Sequence, residues 1–507
     1  MPAVIKNYFT FLFGSRRKYW LLGIAVLIFA LYQADRGIRE DDDMTGEHVY
    51  FLLKEGKVKS ELMHGYGNLQ LEAHQTVFHK LFIYCGFVFA KIFGWSAYSL
   101  HAMSFFFLLV FFGILYRYFR ANKEKMDLSV FWMMTVFLLI CHNIIYYANC
   151  YRPEIMLMAL GFFSFFQLDQ YLRGKTGMPA LLISSVASGL AFATHPHGVI
   201  YIGAGCLLLL FNKKWAPFFL FGTLAAIVFA GIYFADIIHY NHLDLFWFQV
   251  THDPIINVQH HTWYTPLLKL LEEQARILYN EREVTITLLL VTGLIFNFRY
   301  LVKEYKNLLV YGLLLFILLG CYAYSKSPQY LLLYLPFTAL IIALSWQHLE
   351  ATGKNKYKIY LYRAMLLAYA VVHLLFAGKK IEKNIAALHK PSYAEQNRIV
   401  GALIQEPHQQ TSVLAYDGFV FDEIKSFKRI RTLTYYSFFA EMQGKDKQKL
   451  EQVVREARAM GDDYLILNRQ YLDYFELDDK ARLALKDNEL FTITASNSDL
   501  LVLKLRK

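Results

Sequence analysis

Along this chain, long apolar runs alternate with short polar connections. A helix needs about 20 mostly apolar residues to cross a bilayer core. Spans near that length fall at 20–33, 98–116, 128–147, 155–171, 179–194, 197–211, 217–236, 284–298, 308–324, 329–347 and 361–377. The pattern predicts an all-α polytopic membrane protein of about eleven transmembrane helices. One further apolar segment, Val77–Phe93, is short and holds His79, Lys80 and Lys91. It reads as a helix lying along the interface or re-entering it. Basic clusters agree: Arg16/Arg17/Lys18, Arg117/Arg120/Lys123/Lys125, Arg173/Lys175, Lys213/Lys214, Arg299/Lys303/Lys306 and Lys354/Lys356/Lys358 occupy every second connection. They share one side only if Val77–Phe93 does not cross. The positive-inside rule then puts the N-terminus in the cytoplasm and the C-terminus outside.

The connections on the other face are 34–97, the turn YYANCYRPE at 146–154, the turn THPHG at 194–198 and the longer 237–283. In the last, Pro266 opens a helical pattern, PLLKLLEEQARILY, expected to lie on the membrane surface. From about residue 378 the composition becomes mixed. Short β runs at Ser412–Tyr416, Tyr464–Leu467, Leu490–Thr494 and Leu500–Leu505 flank the helical pattern Lys445–Met460. Residues 1–377 therefore read as a transmembrane module, and 378–507 as a small α/β domain on the outer side. No GxGxxG or GxxxxGK[ST] fingerprint occurs.

Composition changes this picture little. Of 507 residues, 56% are hydrophobic and 17% aromatic, with a mean hydropathy of +0.29. The net charge of +11 lies in clusters beside apolar spans, so it reports orientation rather than nucleic-acid binding. Cys85, Cys141, Cys150, Cys206 and Cys321 lie in or beside apolar segments without CxxC spacing, which points to packing rather than a disulfide framework. SRRK at 15–18, ahead of Trp20, reads as a signal anchor.

Candidate chemistry concentrates in the first outer connection. Asp41, Asp42 and Asp43 stand together before a helical pattern ending at Gly56, and Glu47, Glu72, His74, His79 and Lys80 follow. Aspartates at that position cap a helix. They also suit a general base at the mouth of a membrane cavity. Other connections on the same face supply Arg152 and Glu154, His195 and His197, and Lys326. Cations there bind phosphate or lipid headgroups, and the histidines serve as hydrogen-bonding groups. The histidines of 237–283 show no regular ligand spacing, so no metal site is assigned and a divalent cation stays open.

These motifs, in this order and on one face, resemble the polytopic C-type glycosyltransferases that use polyprenyl-phosphate sugars, the group of protein O-mannosyltransferases and lipid A aminoarabinose transferases. That family carries an Asp-Glu pair soon after the first span, about fifteen residues before a helix-closing Gly; Asp41-Asp42 and Gly56 have this spacing, with Asp42 in place of the Glu. IFGWS at 92–96 matches its Phe-Gly, and HQTVFHK at 74–80 stands where it has Lys-Pro-Pro or His-Pro. Arg152-Pro153-Glu154, SGLAFATHPHG at 188–198 and SPQYLLLYLP at 327–336 match its later motifs. The resemblance covers roughly 20–350.

It implies an inverting transferase in a bacterial inner membrane. Such an enzyme moves a sugar from a polyprenyl-phosphate carrier to a lipid, glycan or protein acceptor on the outer face. One of Asp41, Asp42 and Asp43 would act as base. Arg152, His195, Lys80 and Lys326 would bind the donor phosphate. Two rival readings are a flippase for lipid-linked saccharides, which should show internal repeats and charged span centres, and a non-catalytic cell-envelope assembly subunit.

Overall fold

The structure is a computed structural model describing residues 8–34, 38, 42–124, 126–253, 262, 264–323, 326–353, 355–437, 440 and 446–506. Asp41 therefore lies outside the described residues. The apolar pattern is realised as helices. After α1 (Tyr8–Phe13) and α2 (Arg17–Tyr32), the first polar connection holds α3 (Asp42–Glu55) and α4 (Lys80–Phe93). Next come α5 (Ala97–Ala121), α6 (Leu128–Ile140), α7 (His142–Tyr147), α8 (Glu154–Leu172), α9 (Met178–Thr194), α10 (Val199–Phe211) and α11 (Trp215–Tyr233). Beyond α12 (Ala235–His239), α13 (Leu243–His252), α14 (Thr265–Leu271) and α15 (Gln274–Ile277) lie α16 (Glu281–Tyr322), α17 (Leu335–Thr352) and α18 (Lys356–Ala387). Among the described helices, α5, α8, α11, α16 and α18 are long and apolar enough to cross a membrane.

Two expected spans, 284–298 and 308–324, fall on α16 alone. It runs for 42 residues, and its helical geometry breaks at Tyr305 (φ −130°, ψ 36°). Straight, it would reach roughly 60 Å, twice a bilayer core. By contrast α4 has only 14 residues, about 20 Å, too short to cross.

Side-chain contacts sort the helix ends into two poles. At one pole Gln33 donates to the Ile145 carbonyl (2.6 Å) and Asn384 to that of Tyr32 (2.9 Å). At the other, the Tyr8 amide donates to Glu350 (3.1 Å), Gln170 and Arg173 to Asn122 (both 3.3 Å), and Asn307 to Asp169 (3.3 Å). The predicted basic clusters sit at this second pole.

The C-terminal residues build a five-stranded sheet from β1 (Ser412–Ala415), β2 (Arg429–Thr432), β3 (Tyr464–Asn468), β4 (Phe491–Asn497) and β5 (Leu500–Leu505), in the order β2-β1-β3-β5-β4. The first three are parallel, and β5 runs antiparallel to both β3 and β4. Four strands follow the predicted β runs. β2 was not predicted, because RIRT places arginines on both sides of its apolar residue. Arg431 is nonetheless buried, paired with Asp462 at 2.9 Å. The sheet docks on the first connection: Leu62, Met63, Tyr66, Leu69 and Leu71 share one apolar cluster with Val413, Phe419 and Ile466. The Thr432 amide donates to the Leu62 carbonyl (3.3 Å).

Candidate functional site

The first turn of α3 is fixed by the turn before α8. Asp42, almost fully buried, accepts the Tyr151 backbone N–H at 2.7 Å through Oδ1, and its Oδ2 lies 2.7 Å from His101 Nε2. The Thr45 hydroxyl donates to the Tyr151 carbonyl (3.2 Å). Tyr151 is held in turn by its ring stacked on Phe82, centroids 4.4 Å apart. That stack needs Gly86 on α4, because a Cβ there would collide with the Tyr151 ring. Asp42 and Asp43 also sit where the helix dipole favours negative charge. Asp42 and Asp43 thus open α3, and Asp42 binds the turn that carries Arg152.

Arg152 is buried and lies 3.2 Å from Glu154. From there a row of rings crosses to the far wall. His79, directly ahead of α4, lies 4.5 Å from His195 between centroids; His195 lies 4.7 Å from His197, with their Nδ1 atoms 3.0 Å apart; His197 stacks on Tyr330 at 4.1 Å. Arg276 sits over the Tyr330 ring (5.6 Å) and donates to the Ser327 carbonyl (3.1 Å). It pairs with Glu273, which also binds Lys326 at 3.2 Å. Asn143 and Tyr147 close the near side through the Pro328 carbonyl and Gln329.

Burial pushes His79 and His197 down to about 3, and lowers His195 likewise. Neighbouring histidines and cations add to this, Arg152 for His79 and His195, Arg276 and Lys326 for His197. The imidazoles are therefore neutral at pH 7, and the positive charge resides on Arg152, Arg276 and Lys326 against the carboxylates of Glu154 and Glu273.

The remaining candidates stand apart. Glu47 pins the connection after α3, taking the Ser60 hydroxyl and the amides of Glu61 (3.1 Å) and Leu62 (3.3 Å); burial pushes its pKa up to about 8. Glu72 lies 3.8 Å from His64, partly exposed. Lys80 is paired with Asp236 at 2.6 Å, and burial brings it down to about 8 despite that partner. His74 meets His242 (2.5 Å) beside the same aspartate. The structure thus gathers Asp42, Asp43, Arg152, Glu154, His79, His195, His197 and Lys326 at one pole. It places Lys80 and His74 in a neighbouring cluster around Asp236 of α12, and Glu47 and Glu72 in the loop scaffold. Among the described residues, no three His, Cys, Asp or Glu side chains form a metal-holding group.

Sequence reasoning missed His101, Glu273, Arg276 and Tyr330. The pattern expected to lie on the membrane surface is split into α14 and α15. Leu267, Leu268, Leu271 and Leu278 are exposed, while Glu273 and Arg276 are wholly buried. A Glu and an Arg three apart in an amphipathic stretch was the available signal; for His101 it was a lone histidine inside an apolar span.

No family model and no curated protein matches the chain. Solved structures do. ArnT from Cupriavidus metallidurans in the apo state has 11% identity and a TM-score of 0.56, covering 96% of this chain and 97% of its own. The same protein bound to undecaprenyl phosphate has 10% identity and a TM-score of 0.57 with the same coverage. The Archaeoglobus fulgidus oligosaccharyltransferase, tethered to an acceptor peptide containing the NVT sequon, has 12% identity and a TM-score of 0.54, covering 97% of this chain and 74% of its own. At such identities the likeness is one of fold, spanning both the helices and the C-terminal sheet: this chain has the fold of the polytopic C-type glycosyltransferases.

Proposed function

We propose that the protein transfers a sugar from a polyprenyl-phosphate donor to an acceptor hydroxyl at the outer face of a bacterial inner membrane. One observation carries the reading: buried aspartates and three buried or half-buried cations meet at one pole, across a row of neutral histidines. One of Asp41, Asp42 and Asp43 takes the proton of the acceptor O–H. The freed oxygen pair forms a bond to the anomeric carbon from the face opposite the phosphate. The bond from carbon to phosphate oxygen breaks with its electron pair, so configuration inverts and polyprenyl phosphate leaves. Arg152, with Arg276 and Lys326 across the histidine row, offsets the charge developing on that phosphate. His195, whose Nδ1 accepts the His197 backbone N–H, donates to the phosphate oxygens through Nε2–H as a neutral imidazole, and Lys80 anchors the adjoining wall through Asp236. The donor class agrees with the undecaprenyl phosphate bound by the C. metallidurans neighbour and the dolichol phosphate in an A. fulgidus complex.

In this reading residues 1–377 are the transferase module and 378–507 a domain on the outer side. The test is the full chain in lipid nanodiscs, supplied with undecaprenyl-phosphate sugars and assayed for free undecaprenyl phosphate. Failure to bind undecaprenyl phosphate at all would sink the proposal. Orientation is tested separately by a single cysteine at Lys123 in a variant freed of its native cysteines: it should resist labelling from outside, and labelling there would invert the assignment.

A further inference from the structure

The C-terminal sheet carries a cleft that the transfer chemistry does not use. β1 lies between β2 and β3, so the parallel connections leave it to opposite sides. Open α/β sheets bind ligands beyond the carboxyl ends of their strands at such a switch point. A cavity of about 780 Å³ opens there, within the usual size of ligand sites. Its walls include Tyr416 and Asp417 directly after β1, Asn468 at the end of β3, Gln470 and Tyr471 just beyond, and Asn497 at the end of β4. Among the described residues lining it, none is Lys or Arg. An anion would meet Asp417 and Asp499 without a counter-charge, and an apolar ligand would strand amides. A neutral polyhydroxylated ligand finds donors, acceptors and flat rings together.

A second cavity, about 770 Å³, shares Ile38, Tyr393 and Gln396 with the first. It descends to Trp95 and Tyr98, aromatic residues of the kind that settle at the membrane interface, and is lined by the exposed Lys390 and Lys425. Asp422 lines it too, bound to Asn397 at 2.8 Å. Ile38, which lines both cavities, precedes α3 in the chain, and Phe421 in the wall of the second packs against Gly46 of that helix.

Building on the transferase reading, we propose that this groove holds the acceptor. That acceptor is a membrane-anchored neutral oligosaccharide, its sugars in the switch-point cleft and its anionic lipid linkage beside Lys390 and Lys425. Saturation-transfer NMR on the full chain in nanodiscs tests this, with mannotetraose, maltotetraose and chitotetraose as probes. At least one should receive saturation. Tyr393→Ala with Gln470→Ala, both at exposed positions, should cut the transfer about fivefold through lost ring contact and one hydrogen bond, with undecaprenyl phosphate still bound. Phytanyl-pyrophosphate chitobiose should compete about tenfold better than free chitobiose through its charge-assisted contacts, and Lys390→Gln with Lys425→Gln should erase that gain. Silence from all three tetrasaccharides, or transfer undiminished in the Tyr393/Gln470 variant, overturns the cleft. Equal competition by linked and free chitobiose overturns the membrane anchor. Tetrasaccharide binding without undecaprenyl phosphate binding would leave the cleft standing and remove the donor reading instead.

Discussion

Buried charge is present at both poles of the helix bundle, and the two poles treat it differently. At the basic pole the buried carboxylates Glu350 and Asp169 each meet a complementary arginine. Glu350 takes two hydrogen bonds from Arg363 (2.7 and 2.8 Å), one from the Trp346 indole (2.9 Å) and one from the Tyr8 amide. Asp169 holds Arg173 at 2.8 Å and accepts from Asn307. At the other pole Arg152 pairs with Glu154, Arg276 and Lys326 both pair with Glu273, and among the described residues His79 Nδ1 and His197 Nε2 find no hydrogen-bond partner. A closed network locks helices together. One in which ring nitrogens find no hydrogen-bond partner among the described residues has capacity left for a ligand, at some cost in stability.

The sharpest way to break this contrast is to neutralise the aspartates. Asn caps a helix about as well as Asp, so the fold should survive. Losing a general base costs on the order of 10²–10⁴ in rate. Asp41→Asn or Asp42→Asn should therefore nearly abolish turnover in a normally folded protein, with Asp43→Asn milder. If all three single variants and the triple variant kept near-native turnover, the base would lie elsewhere. Arg152→Ala comes next. It removes a fork that can bind phosphate bidentately and should weaken undecaprenyl phosphate binding by about 2 kcal/mol, roughly thirtyfold, leaving acceptor binding intact. Arg152→Lys should recover only part, because an ammonium lacks the fork. Unchanged donor affinity in a folded Arg152→Ala protein would reassign this arginine to packing.

Smaller effects separate scaffold from site. Glu47 binds its proton more tightly folded than unfolded, since burial raises it to about 8. Its contribution to stability is full below about 4.5 and lost progressively as pH rises through 8. Thermal melts between those values should slope downward with pH, and Glu47→Gln should flatten the slope; an unchanged slope would show that another group sets it. Arg173→Met, at the basic pole, should destabilise by about 3–5 kcal/mol by leaving Asp169 buried and unpaired. The molecules that remain folded should keep native kcat/KM. A specific loss of kcat/KM there would erase the distinction between the poles.

Most of the helical architecture was legible because apolar length and charge sidedness are local, additive signals. The short α4 was readable from its three basic and imidazole side chains. The break at Tyr305 within α16 falls in the polar stretch 299–307 that separates the two expected spans. The site was legible where charge stood in a connection, as with Arg152 and His195. It was illegible where charge hid in a pattern satisfied by another explanation: Glu273 and Arg276 looked like the wet face of a surface helix and instead point inward. Pairing was unreadable throughout. Nothing near Lys80 in sequence announces Asp236, which only the fold brings within 2.6 Å.

The bond from the Thr432 amide to the Leu62 carbonyl joins the first loop to the C-terminal sheet, made about 370 residues later. During synthesis the loop after α3 emerges early, with Leu62, Met63, Tyr66 and Leu69 lacking the sheet that covers them. It waits until the chain has been made past β3 and β5. The aspartates and their arginine can be in place long before, yet the scaffold around them is finished only by the last residues. A chain terminated before β3 therefore exposes a greasy loop for proteases to find.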